Sequence, residues 1–169
     1  QIVKLKLLSA KETPQVANIH KLYLKEGTLA RLDVDFLKDF YKSTTDEKNI
    51  FTVIASEGSE VLGFATGAVN LSSVPKTIIP KVLKSFILAT LKNPPIIFKI
   101  ARMLFYPSFT EKFRSAEIFS IAVLPKYQGK GIGKSLINYC RREFKKRGYD
   151  NFLVSVRNDM EANNFYGKI

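Results

Sequence analysis

The sequence contains one cysteine, one histidine and no tryptophan among its 169 residues. A lone cysteine, Cys140, excludes an internal disulfide, which fits a reducing compartment and a cytoplasmic protein. One histidine and one cysteine would leave a zinc site dependent on carboxylates. No clustered ligand spacing is present, so no metal is expected. A Ser-His-Asp triad would have to recruit His20, which the pattern places on a surface helix. Long apolar runs are also lacking. The opening Gln1-Ile-Val-Lys-Leu-Lys has neither a signal peptide's apolar stretch nor an initiating Met, so the chain reads as trimmed. The most apolar stretch, Ser85 to Tyr106, is broken by Lys92, Pro94-Pro95, Lys99 and Arg102, which argues against a transmembrane helix.

Acidic residues are scarce. There are 15 against 27 Lys and Arg, a formal charge of +12 that implies an anionic partner. Hydrophobic residues make up 46 % and charged ones 25 %, which points to a globular chain rather than a disordered one. The length suits one domain over residues 1–169 with a single core.

Ile2 to Leu8 alternates as a half-buried strand does. Thr13 with Pro14 opens a helix whose apolar face reads Val16, Ile19, Leu22 and Leu24. Asp35 to Tyr41 is a second helix. Asn49 to Ser56 and Val61 to Val69 form an antiparallel hairpin around the turn Glu57-Gly-Ser-Glu60. Residues 71–115 then read as an insertion of two short helices, Pro80 to Lys92 and Pro95 to Phe105, parted by Asn93-Pro-Pro. This segment has eight Lys or Arg and one acid, Glu111, so +7 of the +12 is local. Ala116 to Val123 is a strand and Gly131 to Arg147 an amphipathic helix stopped by Gly148. Asn151 to Val156 is another strand, and Met160 to Lys168 begins a last helix.

The informative segment is Val123-Leu-Pro-Lys-Tyr-Gln128-Gly129-Lys130-Gly131-Ile132-Gly133-Lys134-Ser135. A strand runs into a glycine-rich turn that opens a helix. The first amides of a helix have no intrahelical acceptor, and the helix dipole adds positive charge there, so phosphate oxygens satisfy both. Gly129, Gly131 and Gly133 let a phosphate approach the backbone, and Lys130 and Lys134 add charge. Gly133-Lys134-Ser135 imitates the end of a Walker A loop, but Gln128 occupies the first glycine position. The dinucleotide pattern G-x-G-x-x-G fails because the last two glycines are one residue too close. Gln128-x-x-Gly131-x-Gly133 fits a third pattern, Gln/Arg-x-x-Gly-x-Gly/Ala.

That pattern, with the later block Asn158-Asp-Met-Glu-Ala162-Asn-Asn-Phe165-Tyr166, resembles the GNAT superfamily of acetyl-CoA-dependent N-acetyltransferases. The resemblance is strongest over Ala116 to Ile169. It implies an α/β (α+β) fold with a mixed, mostly antiparallel central sheet flanked by helices. The sheet would splay at the fourth and fifth strands, and the helical insertion would lie between the third and fourth. It implies acetyl-CoA (coenzyme A) as cofactor, with its arm along Ile121, Ala122 and Val123. Its pyrophosphate would lie at Gln128, Gly129, Lys130, Gly131, Ile132, Gly133, Lys134 and Ser135, and Asn158 and Phe165 would line the arm. Glu117 resembles the general base of the histone acetyltransferase branch, the alternative being an edge glutamate paired with a base such as Arg114. Tyr166 resembles the general acid that protonates the departing thiolate, the alternative being a packing tyrosine.

The sequence departs from the pattern at three places. The usual Asn aligns with Asp159 if spacing from Phe165-Tyr166 is kept, and with Asn158 if one residue is inserted. Ser155 stands where the ribosomal-protein branch has a catalytic Glu. The chain stops at Ile169, before the superfamily's last two strands. The acceptor expected is a primary amine on a small molecule, with an amino sugar as a candidate. A protein or peptide amine, or a silent acyl-CoA sensor, is the alternative. The insertion could meet a membrane surface or lipid-linked substrate. Otherwise it is a solvated helical pair that covers the sheet edge or makes a homodimer contact. Charge alone speaks for nucleic acid, without a recognisable module.

Overall fold

A computed structural model describes residues 3–25, 27, 29–92, 95 and 116–154. The second predicted insertion helix, Ser155, the block from Asn158 to Tyr166 and the predicted last helix lie outside these residues.

Five strands form one sheet in the order β1 (Lys4–Leu7), β2 (Ile50–Glu57), β3 (Glu60–Ala68), β4 (Glu117–Val123) and β5 (Leu153–Val154). The first three pairings are antiparallel and β4 pairs with β5 in parallel. β2 and β3 are apolar on both faces because helices cover both. On one face lie α1 (Thr13–Tyr23) and α2 (Val34–Ser43), packed over Ile50, Ile54, Phe64 and Ala122. On the other lies α5 (Ile132–Lys146), whose Leu136, Ile137, Cys140 and Phe144 meet Phe51, Ala65 and Ile118. Gly67 makes room there: a Cβ would sit 2.7 Å from the rings of Phe144 and Phe51. The insertion's described half, α3 (Val74–Ile78) and α4 (Leu83–Lys92), extends the α1/α2 side of the core through Val74, Ile78, Val82 and Ala89.

The helix starts differ from the sequence reading in one detail. Ser9 and Glu12 form the capping box of a 3₁₀ turn that leads into α1. Thr13 sits inside the first turn of α1, its hydroxyl donating to the Ala10 carbonyl at 2.9 Å.

The face of α1 also differs from the expectation. Val16, Ala17, Ile19 and His20 are buried, whereas Leu22 is 56 % exposed. His20 is therefore a core residue and not a surface one. Its ring stacks on Phe64, and Nδ1 hydrogen-bonds the Tyr41 hydroxyl at 2.5 Å. Tyr41 is itself fully buried, and the Thr66 and Ser120 hydroxyls interact with the same oxygen. Thr52, Thr66 and Ser120 are register partners across β2, β3 and β4, with the Thr52 and Thr66 hydroxyls 3.2 Å apart. A polar node is thus built into the centre of the α1/α2 core, and its members satisfy one another.

Burial, reinforced by the nearby Lys21 charge, lowers the His20 pKa to about 4. The unfolded chain takes up a proton near pH 6.5, while the folded chain holds neutral imidazole down to about pH 4. Between those values the unfolded state binds more protons, so stability falls as pH drops through this window. The limiting loss is about 3 kcal/mol. Urea unfolding at pH 7 and pH 4.5 should show this loss, and His20→Gln should flatten it. An equal pH dependence in the variant would assign the effect to carboxylates.

Candidate active site

β4 is the element that gathers the candidate residues. Its pairing with β3 contains an irregularity: Thr66 faces Ser120 while the next residue, Gly67, faces Ile118. Phe119 is the extra residue of a bulge, which bends the strand and re-aims the side chains on either side. Past the bulge, the Leu124 amide donates to the Leu62 carbonyl at 2.9 Å. Hydrogen-bonding direction alternates along a strand. Ala122 therefore turns its backbone polar groups towards β3, and Ile121 and Val123 turn theirs to the opposite side. On that side β5 pairs only with Glu117 and Ile118 among the described residues. The expected splay involves residues after Val154 and so remains an expectation. One predicted contact changes: the Val123 carbonyl already accepts a 2.9 Å hydrogen bond from the Gln128 side-chain amide. Gln128 thus closes the turn onto the strand it leaves.

The turn itself is braced from below. Pro125–Tyr127 form a 3₁₀ turn, and the Tyr127 hydroxyl donates to Glu60 on β3 at 3.1 Å. Lys126 pairs with the same carboxylate at 2.8 Å, which holds Glu60 below the usual carboxylate range. Lys126 and Lys130 stand 4.8 and 5.2 Å from the Tyr127 ring centre. Gly129 and Gly131 have φ of +74° and +79°, where side chains other than glycine are strained. A Cβ on either would meet nothing within 4 Å, so the space over the turn is open. Gly131 caps α5, and the helix opens with a hydrogen bond from the Ser135 amide to the Gly131 carbonyl at 3.0 Å. The amides of Ile132, Gly133 and Lys134 come before it and have no turn behind them to bond to. Lys130 and Lys134 are exposed and enter no ion pair among the described residues. Open left-handed glycines, helix-start amides without intrahelical acceptors and two exposed lysines fit a pyrophosphate.

Glu117 begins β4 and is buried, at 4 % exposure. It is flanked on both sides, opposite Ala68 of β3 and Leu153 of β5. Ala68 belongs to the α1/α2 core, and directly opposed residues share a face, so Glu117 lies on the side away from α5. Six residue steps separate Glu117 from Val123, about 20 Å of strand. The phosphate-type turn and the carboxylate thus stand at opposite ends of one element. Asn158, Phe165 and Tyr166 fall outside the described residues.

The single cysteine is not available as a nucleophile. Burial, with the Glu143 carboxylate nearby, pushes the Cys140 thiol up to about 12, so it stays protonated and inert at neutral pH. No group of three or more His, Cys, Asp or Glu among the described residues could hold a metal ion. No helix among them is long and apolar enough to cross a membrane.

The family model described as Acetyltransferase (GNAT) family matches residues 15–169. The chain belongs to this family. Over 54 residues it is 39 % identical to a [Ribosomal protein bS18]-alanine N-acetyltransferase of Haemophilus influenzae, a match covering 32 % of this chain and 37 % of that enzyme. The chain thus spans little more than a third of that curated relative. Among solved structures, a ribosomal-protein-alanine N-acetyltransferase from Brucella melitensis biovar Abortus 2308 superposes with a TM-score of 0.57 at 14 % identity. That superposition covers 99 % of this chain and 90 % of that one. The aminoglycoside acetyltransferase AAC(6')-Iy, in complex with a bisubstrate analogue, gives 0.63 at 11 % identity, with 99 % and 88 % covered. At these identities the likeness establishes the fold: an open, mostly antiparallel five-stranded sheet with helices.

The sequence reading missed two features of the site. One is the bulge at Phe119, which exists only once β3 and β4 are paired. The other is the Tyr41 node beneath Ser120, whose members are scattered from His20 to Ser120. The signal available for the node was the placement of Thr52, Thr66 and Ser120 at matched positions in three apolar strands.

Proposed function

We propose that this protein is an acetyl-CoA-dependent N-acetyltransferase acting on a primary amine of a small molecule, an amino sugar being one candidate. The observation that carries the reading is a single strand, β4, with Glu117 buried at its start and the open Gly129–Lys134 turn beyond its end. Acetyl-CoA, when bound, supplies an acetyl thioester open to attack by the amine. The amides of Ile132, Gly133 and Lys134 would hold its pyrophosphate, with Lys130 and Lys134 adding charge. Ile121 and Val123 would offer backbone groups to its arm in the manner of an added strand. Val123 contributes its amide, since Gln128 occupies its carbonyl.

An alkyl amine is mostly protonated near neutral pH and cannot attack until it loses that proton. Glu117 is the acceptor for it, directly or through water. Tyr166 donates a proton to the departing sulfur. Thiolate leaves tolerably without help, so Tyr166→Phe should slow turnover without abolishing it. Alignment of the amine by the site supplies much of the remaining acceleration. No step calls for a metal.

A protein N-terminal amine is the second reading, favoured by the stretch shared with the bS18-alanine N-acetyltransferase. Ser155, at the position of that branch's catalytic Glu, weighs against it. The test is thiol release from acetyl-CoA with nucleotide amino sugars, aminoglycosides, polyamines and N-terminal peptides offered in turn. Turnover with a small amine supports the reading, and turnover with peptides alone replaces it with the second. Binding without turnover on any acceptor would make the protein a sensor.

A further inference from the structure

The outer face of α4 lies outside the residues assigned to the acetyl-transfer site. On this ten-residue helix Leu83, Ile87, Leu88 and Leu91 are 51, 47, 49 and 70 % exposed. Helical spacing places all four within one arc of about 140°. The opposite arc holds Ala89 and Thr90, which are buried, and Phe86, which meets Phe36 of α2 at 6.0 Å between ring centres. A helix with large apolar side chains on both its inner and outer faces ordinarily lies between two layers, and only one layer is present among the described residues. Four large aliphatics side by side form a contiguous patch rather than scattered exposure.

The insertion's own charge beside the patch is of one sign, whereas the acids near it, Asp33, Asp35 and Glu47, come from neighbouring segments and stand by Lys92 and Lys81. Residues 71–92 contain four lysines, Lys76, Lys81, Lys84 and Lys92, and no acid. Lys81 and Lys92 tie the insertion down through Glu47 and Asp33. Lys76 and Lys84 are exposed and enter no ion pair among the described residues, and Lys84 stands within the aliphatic arc. Three occupants would bury aliphatic surface: the chain's continuation over 93–115, a second copy, or a lipid surface. The continuation carries Lys99, Arg102, Lys112 and Arg114 against Glu111, and a second copy would present the same lysines. Both would bring further net positive charge towards the unpaired Lys76 and Lys84. An anionic bilayer matches the patch in both respects, taking aliphatic side chains below its headgroups while the lysines meet its phosphates.

We infer that α4 is an interfacial helix that docks the protein on anionic lipid, with Leu83, Ile87, Leu88 and Leu91 entering the headgroup layer and Lys76 and Lys84 contacting lipid phosphate. The docking is peripheral and independent of acetyl transfer.

The test is co-sedimentation of the full chain with vesicles of phosphatidylcholine alone and of phosphatidylcholine mixed with phosphatidylglycerol. Binding is expected to the mixed vesicles and to weaken with salt. It should fall at least tenfold in Ile87→Glu/Leu91→Glu, and roughly fivefold or more in Lys84→Glu. All three positions are exposed, so the variants should keep the wild-type melting temperature. Failure of the wild type to bind the mixed vesicles would overturn the inference, as would equal binding by Ile87→Glu/Leu91→Glu. A wild-type dimer made monomeric by those substitutions, without vesicle binding, would give the face to a second copy. A lowered melting temperature without vesicle binding would give it to residues 93–115.

Discussion

Gly131→Asp is expected to abolish measurable acetyl-CoA binding in a chain that still folds. Two effects add at this position. Gly131 adopts φ +79°, so any side chain costs about 1–2 kcal/mol in the turn. The turn either carries that cost or shifts, and a shift moves the amides of Ile132–Lys134 off the phosphate. The carboxylate then enters the space that is open over the turn, where no atom lies within 4 Å of an added Cβ. It would face the pyrophosphate at short range and also satisfy the helix-start amides itself. Losing one charge-assisted hydrogen bond, about 1.5–3 kcal/mol, and adding repulsion should weaken binding by about 100-fold or more. Gly131→Ala separates the contributions, since it brings the strain without the charge and should bind with intermediate affinity. Calorimetric titration of both variants, with circular dichroism as the folding control, reads the effect. Unchanged affinity in a folded Gly131→Asp would remove the turn from the site.

Glu117→Gln is expected to leave acetyl-CoA affinity unchanged and to lower kcat by about 10²–10³-fold near neutral pH. The amide keeps the shape of a side chain buried where β4 is paired on both sides, so packing should survive. Under the proposed mechanism, what it loses is the capacity to take the amine's proton. The deficit should shrink as pH rises towards the amine's own pKa, about 10.4 for an alkyl ammonium, because more acceptor arrives already neutral. A pH–rate profile of the two proteins therefore distinguishes a proton acceptor from a structural carboxylate. A structural role would give a loss that does not change with pH, or no loss at all.

What the sequence made legible follows from how local each signal is. The turn from Gln128 to Lys134 could be read because three glycines between an apolar strand and an amphipathic helix leave few conformations to choose from. β2, β3 and β4 were readable from their apolar runs, and β1 from its alternation of apolar and basic residues, although its Leu7 is exposed. Hydrogen bonding between sequence-distant side chains was not legible. His20 looked like a surface residue because a lone histidine counts as polar, yet its partner is Tyr41, and Thr66 and Ser120 complete the node. Leu22 looked inward for the same reason in reverse, since the true face of α1 is rotated to bury Ala17 and His20. The Gln128 side chain fits the family pattern by residue type, but its bond to the Val123 carbonyl depends on the path of the turn. The bulge at Phe119 depends on the register between β3 and β4, which no single strand encodes. The exposed aliphatics of α4 were hidden among apolar residues that periodicity alone assigns to a core.

The most direct measurement of the central claim is a calorimetric titration of the wild-type chain with acetyl-CoA, repeated with ATP as the competing phosphate ligand. Saturable one-to-one binding of acetyl-CoA, displaced by coenzyme A and only feebly by ATP, is the predicted result. No saturable binding of acetyl-CoA, or equal binding of ATP, would contradict it and return the Gly129–Lys134 turn to a generic phosphate site.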